Sequence, residues 1–516
     1  MTLAKTRAVC LVGVDGFVVD VEAAITSGVP GLHLVGLPDT ALSESRDRVR
    51  AAIFNSDEDY PNRHVTVSLF PASRPKAGST FDLAIATALM AAAGAVPAQS
   101  CTGLVFIGEL GLDGRIRPIP GVLPAVLTAA NAGCRTIVVP RANAAEAELV
   151  PGVEIVSAGT LRALLCLLRD EPPPPEEEEE PLPRPSETLP LRAPDRRTGL
   201  DLADVRGQAE ARRALEISAA GGHHLFFSGP PGCGKTMLAE RLPTLLPPLD
   251  REAALEVTAV HSIAGTLPPG QPLIVRPPFH APHHTATRAA MVGGGSGRSL
   301  QPGAVSLAHR GILFLDEAPE FMNGTLDALR QPLEEGEVHI ARAEGTATFP
   351  ARFTLVLAAN PCPCAAAKQI DCSCPPAVRR KYLTRISGPL LDRVDLKLEL
   401  TPASRAELRY DLELAESSTV VADRVLAARE RTLKRLADTP WRANSEIPGP
   451  ELRRRFVPSG DAMLTADDAL QNGSLSARGL DRVLRVAWTL ADLAGRDRPS
   501  ADDIGGALAL WSGWRP

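Results

Sequence analysis

The octapeptide Gly229-Pro230-Pro231-Gly232-Cys233-Gly234-Lys235-Thr236 constrains this chain more than any other feature. It follows an apolar run, LFFS at 225–228, and precedes MLAERL, which reads as a helix. A glycine-rich turn between a buried strand and a helix N-terminus lets backbone N–H groups close around an anion, and it belongs to parallel α/β sheets. In this pattern Lys235 supplies a point charge to β- and γ-phosphates, and the Thr236 hydroxyl can ligate Mg²⁺. Glycines alone would suit an ordinary turn, but the lysine and threonine together disfavour that reading.

Two further apolar runs end in polar groups. GILFLDE at 311–317 closes on two carboxylates. A buried strand of this kind ends where a nucleotide-binding sheet holds its ligand. Asp316 would hold Mg²⁺ through its shell, and Glu317 would polarise the attacking water as general base. FTLVLAAN at 353–360 ends on Asn360, whose amide could orient that water, although asparagine is also a common turn residue. ATP and Mg²⁺ are the expected cofactors.

The rest of the chain divides by composition. The stretch 171–199 contains nine prolines, eight acidic residues and four arginines, so it cannot bury a core and reads as an extended linker. It carries −4 of the net charge of −6, which removes the bulk charge as an argument against a nucleic-acid partner. Residues 1–170 alternate strand-like runs (VTVSLF, LVFIGEL, TIVVP) with Ala-rich helical stretches and read as an α/β domain. After a linker at 171–200, residues 201–401 read as strands joined by crossovers, and 402–516 as charged helices. The apolar run at 83–98 contains Gly94 and Pro97 and falls short of the roughly 20 residues a membrane span needs, so a buried helix is expected. With no secretory signal at the N-terminus, a cytoplasmic protein without a membrane partner is expected.

Cys362, Cys364, Cys372 and Cys374 form CxC-x7-CxC directly after the Asn360 run. Four thiols that close in a reducing compartment point to a tetrahedral soft-metal site, structural Zn²⁺, with free thiols or a redox-labile pair as alternatives. Arg379, Arg380 and Lys381 follow and make a basic patch suited to nucleic acid. The other five cysteines (Cys10, Cys101, Cys134, Cys166, Cys233) lie apart and read as reduced.

Taken together, the segments GPPGCGKTMLAERLPTLLPPL, APHHTATRAAMVGGGSG, GAVSLAHRGILFLDEAPEF, LRQPLEEGEVHIARAEGTATFPARFTLVLAANPCPC and SGPLLDRVDL resemble the ComM/YifB family, a magnesium-chelatase-like branch of the AAA+ ATPases. The resemblance covers nearly the whole chain. It implies a P-loop AAA+ core with an α-helical lid and a hexameric ring with ATP sites between subunits. It also implies a branch-migration helicase acting on recombination intermediates, as during DNA uptake. By resemblance Arg393 matches the arginine finger that reaches a neighbour's γ-phosphate, Arg478 the sensor-2 arginine of the lid, and Asn360 sensor 1. The stretch 334–351 reads as a hairpin turning at Glu344-Gly345. In related ring helicases such a hairpin meets DNA, which makes Arg342 and Arg352 the basic candidates, with His339 nearby. For His283 and His284 a pore-loop or structural role is expected, because no further metal ligand lies at suitable spacing.

PKAGSTFDLAIATAL and LDGRIRPIPGVLPAVLTAANAGCRTIVVP make residues 1–170 similar to the ribosomal-S5-like fold of Lon-type proteases. That chemistry needs a serine and a lysine, whereas the matching positions here are Thr80 and Leu123, and Lys76 belongs to another frame position. An inert domain with a binding or ring-assembly role is expected. A magnesium-chelatase motor subunit and a protein-remodelling ATPase stay open as alternative functions.

Overall fold

The computed structural model describes residues 2–37, 39–74, 76, 78–174, 199–268, 270–295, 300–322, 324–342, 345–366, 372–404, 406–407, 409, 415–473 and 475–514. Most of the Pro/Glu stretch read as a linker, residues 175–198, lies outside them.

The first large sheet has seven strands: β1 (Thr2–Val12), β2 (Asp15–Thr26), β3 (Gly31–Val35), β4 (His64–Phe70), β5 (Leu104–Phe106), β6 (Thr136–Pro140) and β7 (Glu154–Ala158). Their spatial order is β3-β4-β2-β1-β5-β6-β7. β1 and β2 pair antiparallel from Thr2↔Ile25 to Val12↔Asp15, whereas β5, β6 and β7 pair parallel. Helices α1 (Thr40–Phe54), α2 (Asp82–Ala93), α3 (Val122–Asn131) and α4 (Leu161–Leu168) accompany this sheet. The apolar run at 83–98 folds, as expected, into a buried helix: α2 is covered on all sides and stops at Gly94, whose left-handed φ of +83° caps it. The long β1–β2 hairpin is not evident from the sequence, since small or polar residues (Ala4, Thr6, Ala8) hold the inward positions. LVFIGEL is not one strand. Leu104–Phe106 joins the large sheet, while Glu109–Leu110 pairs with Ile116–Arg117 separately. The break falls at Gly108, which turns its backbone to Thr80 and Leu83.

The second sheet is parallel throughout, and its strands are β8 (Leu225–Ser228), β9 (Phe279–His280), β10 (Ile312–Leu315), β13 (Thr354–Ala359) and β14 (Leu396–Glu399). Between β10 and β13 lies a separate hairpin, β11 (Glu337–Arg342) with β12 (Gly345–Pro350), paired from Glu337↔Pro350 to Arg342↔Gly345. The order β9-β10-β13-β8-β14 puts β8 between β13 and β14. Helices α5 (Ala209–Gly221), α6 (Lys235–Arg241), α7 (Arg251–Ile263), α8 (Arg330–Glu335) and α9 (Pro376–Leu383) connect or flank these strands. Helices α10 (Ser418–Arg435), α11 (Gly460–Gln471), α12 (Ala477–Leu493) and α13 (Ala501–Ser512) follow, in the region expected to be helical.

Alternation along β8 decides which layer covers which face. Leu225 and Phe227 enter one core with Val425 of α10 and Leu480, Val483, Leu484 and Ala487 of α12, whose spacing marks one helical face. Phe226 enters the opposite core with Leu313, Leu355 and Leu357. The later helices therefore share a continuous core with the parallel sheet.

The two sheets also meet. Gly121 at the start of α3 donates its N–H to Ser262 of α7 (Oγ at 3.0 Å), and Arg251 bonds the Leu149 carbonyl at 3.0 Å. Gly13, in the β1–β2 turn, forms a bridge to Thr348 of β12. A Cβ at Gly13 would stand 2.7 Å from the Thr348 carbonyl oxygen, and its φ is +69°, so the close approach requires glycine.

Candidate functional site

The carboxyl edge of the parallel sheet brings together five of the residues singled out in the sequence. β8 ends at Ser228, and the next N–H, that of Gly229, bonds the Ala359 carbonyl at 3.1 Å, fastening the glycine-rich turn to the end of β13. A Cβ at Gly229 would lie 2.6 Å from the Leu400 carbonyl oxygen and 2.8 Å from the Cys233 sulfur. Gly232 and Gly234 adopt φ of +78° and +94°, and nothing stands within 4 Å of the Cβ position of Gly232. The turn Gly229–Gly234, with Pro230, Pro231 and Cys233 between the glycines, is thus an open cradle at the N-terminus of α6, as a polyphosphate requires.

Lys235 is buried, and its ammonium donates to the carbonyls of Gly229 (2.7 Å) and Pro230 (3.0 Å) and to Asn360 Oδ1 (3.0 Å). Thr236 Oγ1 donates to Asp316 Oδ2 at 2.7 Å, and the Glu317 N–H donates to Asp316 Oδ1 at 2.9 Å. A hydroxyl and a carboxylate meeting at the mouth of the cradle form a hard-oxygen donor set that fits Mg²⁺. Glu317 occupies the left-handed region at φ +51°, which swings its carboxylate away from the strand direction.

One participant is missing from the sequence reading. His284 Nδ1 lies 3.1 Å from Glu317 Oε2, and its ring stacks against His283 at 4.1 Å. Because β9 pairs with β10 (His280↔Leu313), the chain leaving β9 passes the end of β10, where Glu317 sits. The pair HH is visible in the sequence, but its neighbour is fixed by sheet order. Beside the expected pore-loop or structural role, His284 thus has a contact with the candidate base.

Arg393 and Arg478 are not part of this group. Asp395 accepts the N–H of His224, the residue before β8, at 3.1 Å and is fully buried. This marks the amino edge of the sheet, with Leu225↔Leu396 in register. The strand between the edges has four residues, about 13 Å at 3.3 Å each. Arg482 of α12 donates to Asp395 at 3.1 Å and thereby ties the helices to the sheet. Burial raises the Asp395 carboxyl, but Arg482, His223 and His224 outweigh it and hold the group well below the usual carboxylate range. Arg393 is disfavoured as a cation by burial first, then by the nearby charges of Arg482, Arg330 and Arg478. It donates to the Pro389 carbonyl at 2.6 Å and forms an ion pair with Glu334. Arg478 is exposed on the first turn of α12. A guanidinium cluster therefore gathers at the edge opposite the cradle, with Arg478 exposed.

The four cysteines converge, with Cys362 Sγ 3.2 Å from Cys364 and 3.4 Å from Cys372, and all four sulfurs within 4.8 Å of one another. Burial pushes the Cys362 thiol up to about 12, whereas the hydrogen bond from Cys362 draws Cys364 down to about 7. A cysteine quartet of this size suits a tetrahedral metal. Arg379 on α9 donates to the Cys374 carbonyl at 3.2 Å, and exposed Arg380 and Lys381 sit beside it. Arg352 is exposed at the foot of the β11–β12 hairpin, 2.7 Å from where a Cβ of Gly336 would stand. The hairpin forms as expected, but the Arg342 side chain and the turn residues lie outside those described.

In the first sheet, Lys76 is wholly buried, donates to the carbonyls of Gly36 (3.1 Å) and Pro71, and is held below the usual lysine range by burial. Leu123 is buried in an apolar cluster and Thr80 is half-buried. Ser79 pairs with Glu109.

Comparison with known proteins follows the same divisions. The family described as magnesium chelatase, subunit ChlI, matches residues 201–408, subunit ChlI of Mg-chelatase matches 21–143, and the ChlI C-terminal family matches 415–510. An uncharacterised protein of Mycobacterium tuberculosis is 50% identical over 510 residues, covering 99% of both chains. The uncharacterised protein YifB of Escherichia coli is 41% identical over 493 residues, 96% of this chain and 93% of that one. Competence protein ComM of Haemophilus influenzae is 39% identical over 500 residues, 96% of this chain and 95% of that one. A shorter match, 34% over 203 residues, joins 36% of this chain to 23% of the Lon protease of Geobacter metallireducens. Among the described residues no helix is long and apolar enough to cross a membrane.

Proposed function

This chain belongs to the ComM/YifB family of magnesium-chelatase-like AAA+ proteins, and from that membership we propose an ATP-hydrolysing motor whose hexameric ring drives DNA branch migration. The observation that carries the proposal is the split between the two edges of the parallel sheet. Lys235, Thr236, Asp316, Glu317 and Asn360 meet at one edge, while Arg393 stands at the other, beyond reach of its own cradle. Such a site becomes complete only when a second copy brings its arginine face to the first copy's cradle.

In the assembled site the γ-phosphoryl of ATP lies against Lys235. Asn360, bonded to that ammonium, fixes its position and has its amide nitrogen free to hold the attacking water. Glu317 takes the proton as the water oxygen bonds to the γ-phosphorus and the bond to the β–γ bridging oxygen breaks, giving ADP and phosphate. The neighbour's Arg393 spreads the charge on the transferring group, and Arg478 supports it from the same face as the lid arginine. Mg²⁺ held through Thr236 and Asp316 would neutralise β- and γ-phosphate charge when bound.

The DNA reading is supported by the β11–β12 hairpin with Arg342 and Arg352, by Arg379, Arg380 and Lys381 on α9, and by the name of the ComM relative, a competence protein. The cysteine quartet would carry structural Zn²⁺ that ties Cys362, two residues beyond Asn360, to Cys374 just before α9. Metal analysis is expected to give about one zinc per chain, and a trace amount ends that claim. The first sheet, with Leu123 where a lysine would be needed, is read as a Lon-like binding or assembly module without proteolysis. A metal-inserting motor is favoured only by the match to the magnesium chelatase, subunit ChlI, family.

The decisive experiment measures ATPase activity with and without forked or four-way DNA, with Glu317→Gln as control. Stimulation and strand exchange by the wild type are expected; ATPase indifferent to DNA would leave a protein-directed motor instead.

A further inference from the structure

Arg393, on which trans hydrolysis depends, is already occupied within its own chain. Its Nη2 is paired with Glu334, a carboxylate on α8. The same helix makes a second link to the segment that carries Arg393, for Arg330 donates to Ser387 Oγ at 3.0 Å, and Ser387 in turn donates to Asp327 at 2.9 Å. Residues 330 and 334 are one helical turn apart and share a face. Helix α8 thus grips residues 387–393 at both ends of one turn.

Helix α8 also leads straight into the hairpin. Only Gly336 separates Glu335 from β11, and it turns at φ +73° with its N–H on the Pro332 carbonyl at 2.9 Å. A Cβ there would stand 2.7 Å from Arg352 Cγ, so the joint has little slack. Val338, two residues on, is buried in the same core as Leu329 just before α8. A displacement of the hairpin is therefore transmitted to Glu334 rather than absorbed between them.

We propose that Glu334 is a positioning residue that parks Arg393 away from the neighbour's phosphate, and that engagement of the hairpin by a DNA backbone withdraws it. This rests on the reading that Arg393 acts on a neighbouring ATP and that the hairpin meets DNA. The electrostatics suit a parked state that is easily left. Glu334 is mostly exposed, with 61% of its side chain accessible, so water screens the pair. The Arg330, Arg478 and Arg482 charges around Arg393 favour any anion that replaces it, and a γ-phosphate carries more charge than a carboxylate. A screened pair of this kind shifts an equilibrium by about two- to fivefold.

The test compares wild type, Glu334→Gln, Arg393→Ala and the double variant, assembled with ATP, for turnover and KM with and without forked DNA. Glu334→Gln keeps the side-chain size and removes the charge. It is expected to raise DNA-free turnover about two- to fivefold at unchanged KM, to lower the ratio of DNA-stimulated to basal rate by the same factor, and to have no effect once Arg393 is alanine. A folded Glu334→Gln ring with wild-type basal turnover overturns the proposal. A raised basal rate with the full stimulation ratio retained overturns the coupling to the hairpin. A wild type that does not hydrolyse, or that hydrolyses equally well as Arg393→Ala, overturns the motor reading itself, a result visible without the Glu334 variant.

Discussion

The two edges of the parallel sheet are built from the same short strands yet hold opposite kinds of chemistry. At the carboxyl edge Lys235 is hydrogen-bonded to Asn360, and Thr236 and the Glu317 N–H to Asp316. At the amino edge a buried aspartate holds Arg482, and Arg330, Arg393 and Arg478 gather near it. On the proposed reading a single chain has what nucleotide binding needs, while turnover would belong to the contact between two chains. The difference teaches that the sheet acts as a spacer: its length along the strands sets how far the chain's arginines stand from its own cradle.

The comparison can be broken by mutation at either edge. Arg393→Ala is expected to lower ATP turnover by about 10³- to 10⁵-fold while ATP binding, read by fluorescent-nucleotide titration, stays within a few-fold of wild type. Mixing Arg393→Ala chains with Lys235→Ala chains should restore part of the activity, since one class of interface then has both edges intact. Equal inactivity at all mixing ratios would put the arginine and the cradle in one chain's site. Glu317→Gln, at the other edge, should cost about 10²- to 10⁴-fold in turnover and leave binding intact, and it should not be rescued by any partner that supplies only arginines.

A pH experiment sharpens the account of the amino edge. Burial holds His224 neutral, with its pKa lowered to about 4, and its Nδ1 accepts the Leu355 N–H at 3.0 Å, a bond that protonation would break. In the unfolded chain the same group titrates near about 6.5. Between these values the unfolded state binds the extra proton, so stability is fully present above pH 6.5 and falls as pH drops toward 4. The expected loss is about 1–3 kcal/mol by urea titration, and His224→Gln should flatten the slope. The smallest effect expected is at His284. His284→Ala should change turnover only several-fold, in either direction, because Glu317 keeps its position just past the end of β10 and loses one partner. A loss as deep as that of Glu317→Gln would make His284 part of the chemistry itself.

The cradle was legible because its meaning is local. Gly229 to Thr236 carry their geometry in consecutive residues, and the runs ending at Asp316 and Asn360 declare buried strands by composition alone. The amino edge was legible only by resemblance. Nothing near Arg393 says that it lies beside the start of β8, a fact decided by the order β9-β10-β13-β8-β14. His284 escaped for the same reason, since its contact with Glu317 spans two strands that pair only in the fold. The β1–β2 hairpin escaped for another: an inward row of Ala4, Thr6 and Ala8 gives too weak an alternation of hydrophobicity to read. Glu334 offered no signal, being one of several acids in LEEGE.

The bridge from Gly13 to Thr348 has a mechanical consequence. A finger that pushes on a strand needs something to push against, and here the β1–β2 turn is the backstop: with a carbonyl 2.7 Å from where any side chain would begin, it leaves no gap for recoil on that side. If the hairpin works as proposed, force on β12 would be shared with an eleven-residue strand of the first sheet, β1, and spread across its seven strands. The first sheet would then serve as the anvil of the machine, contributing stiffness to the hairpin.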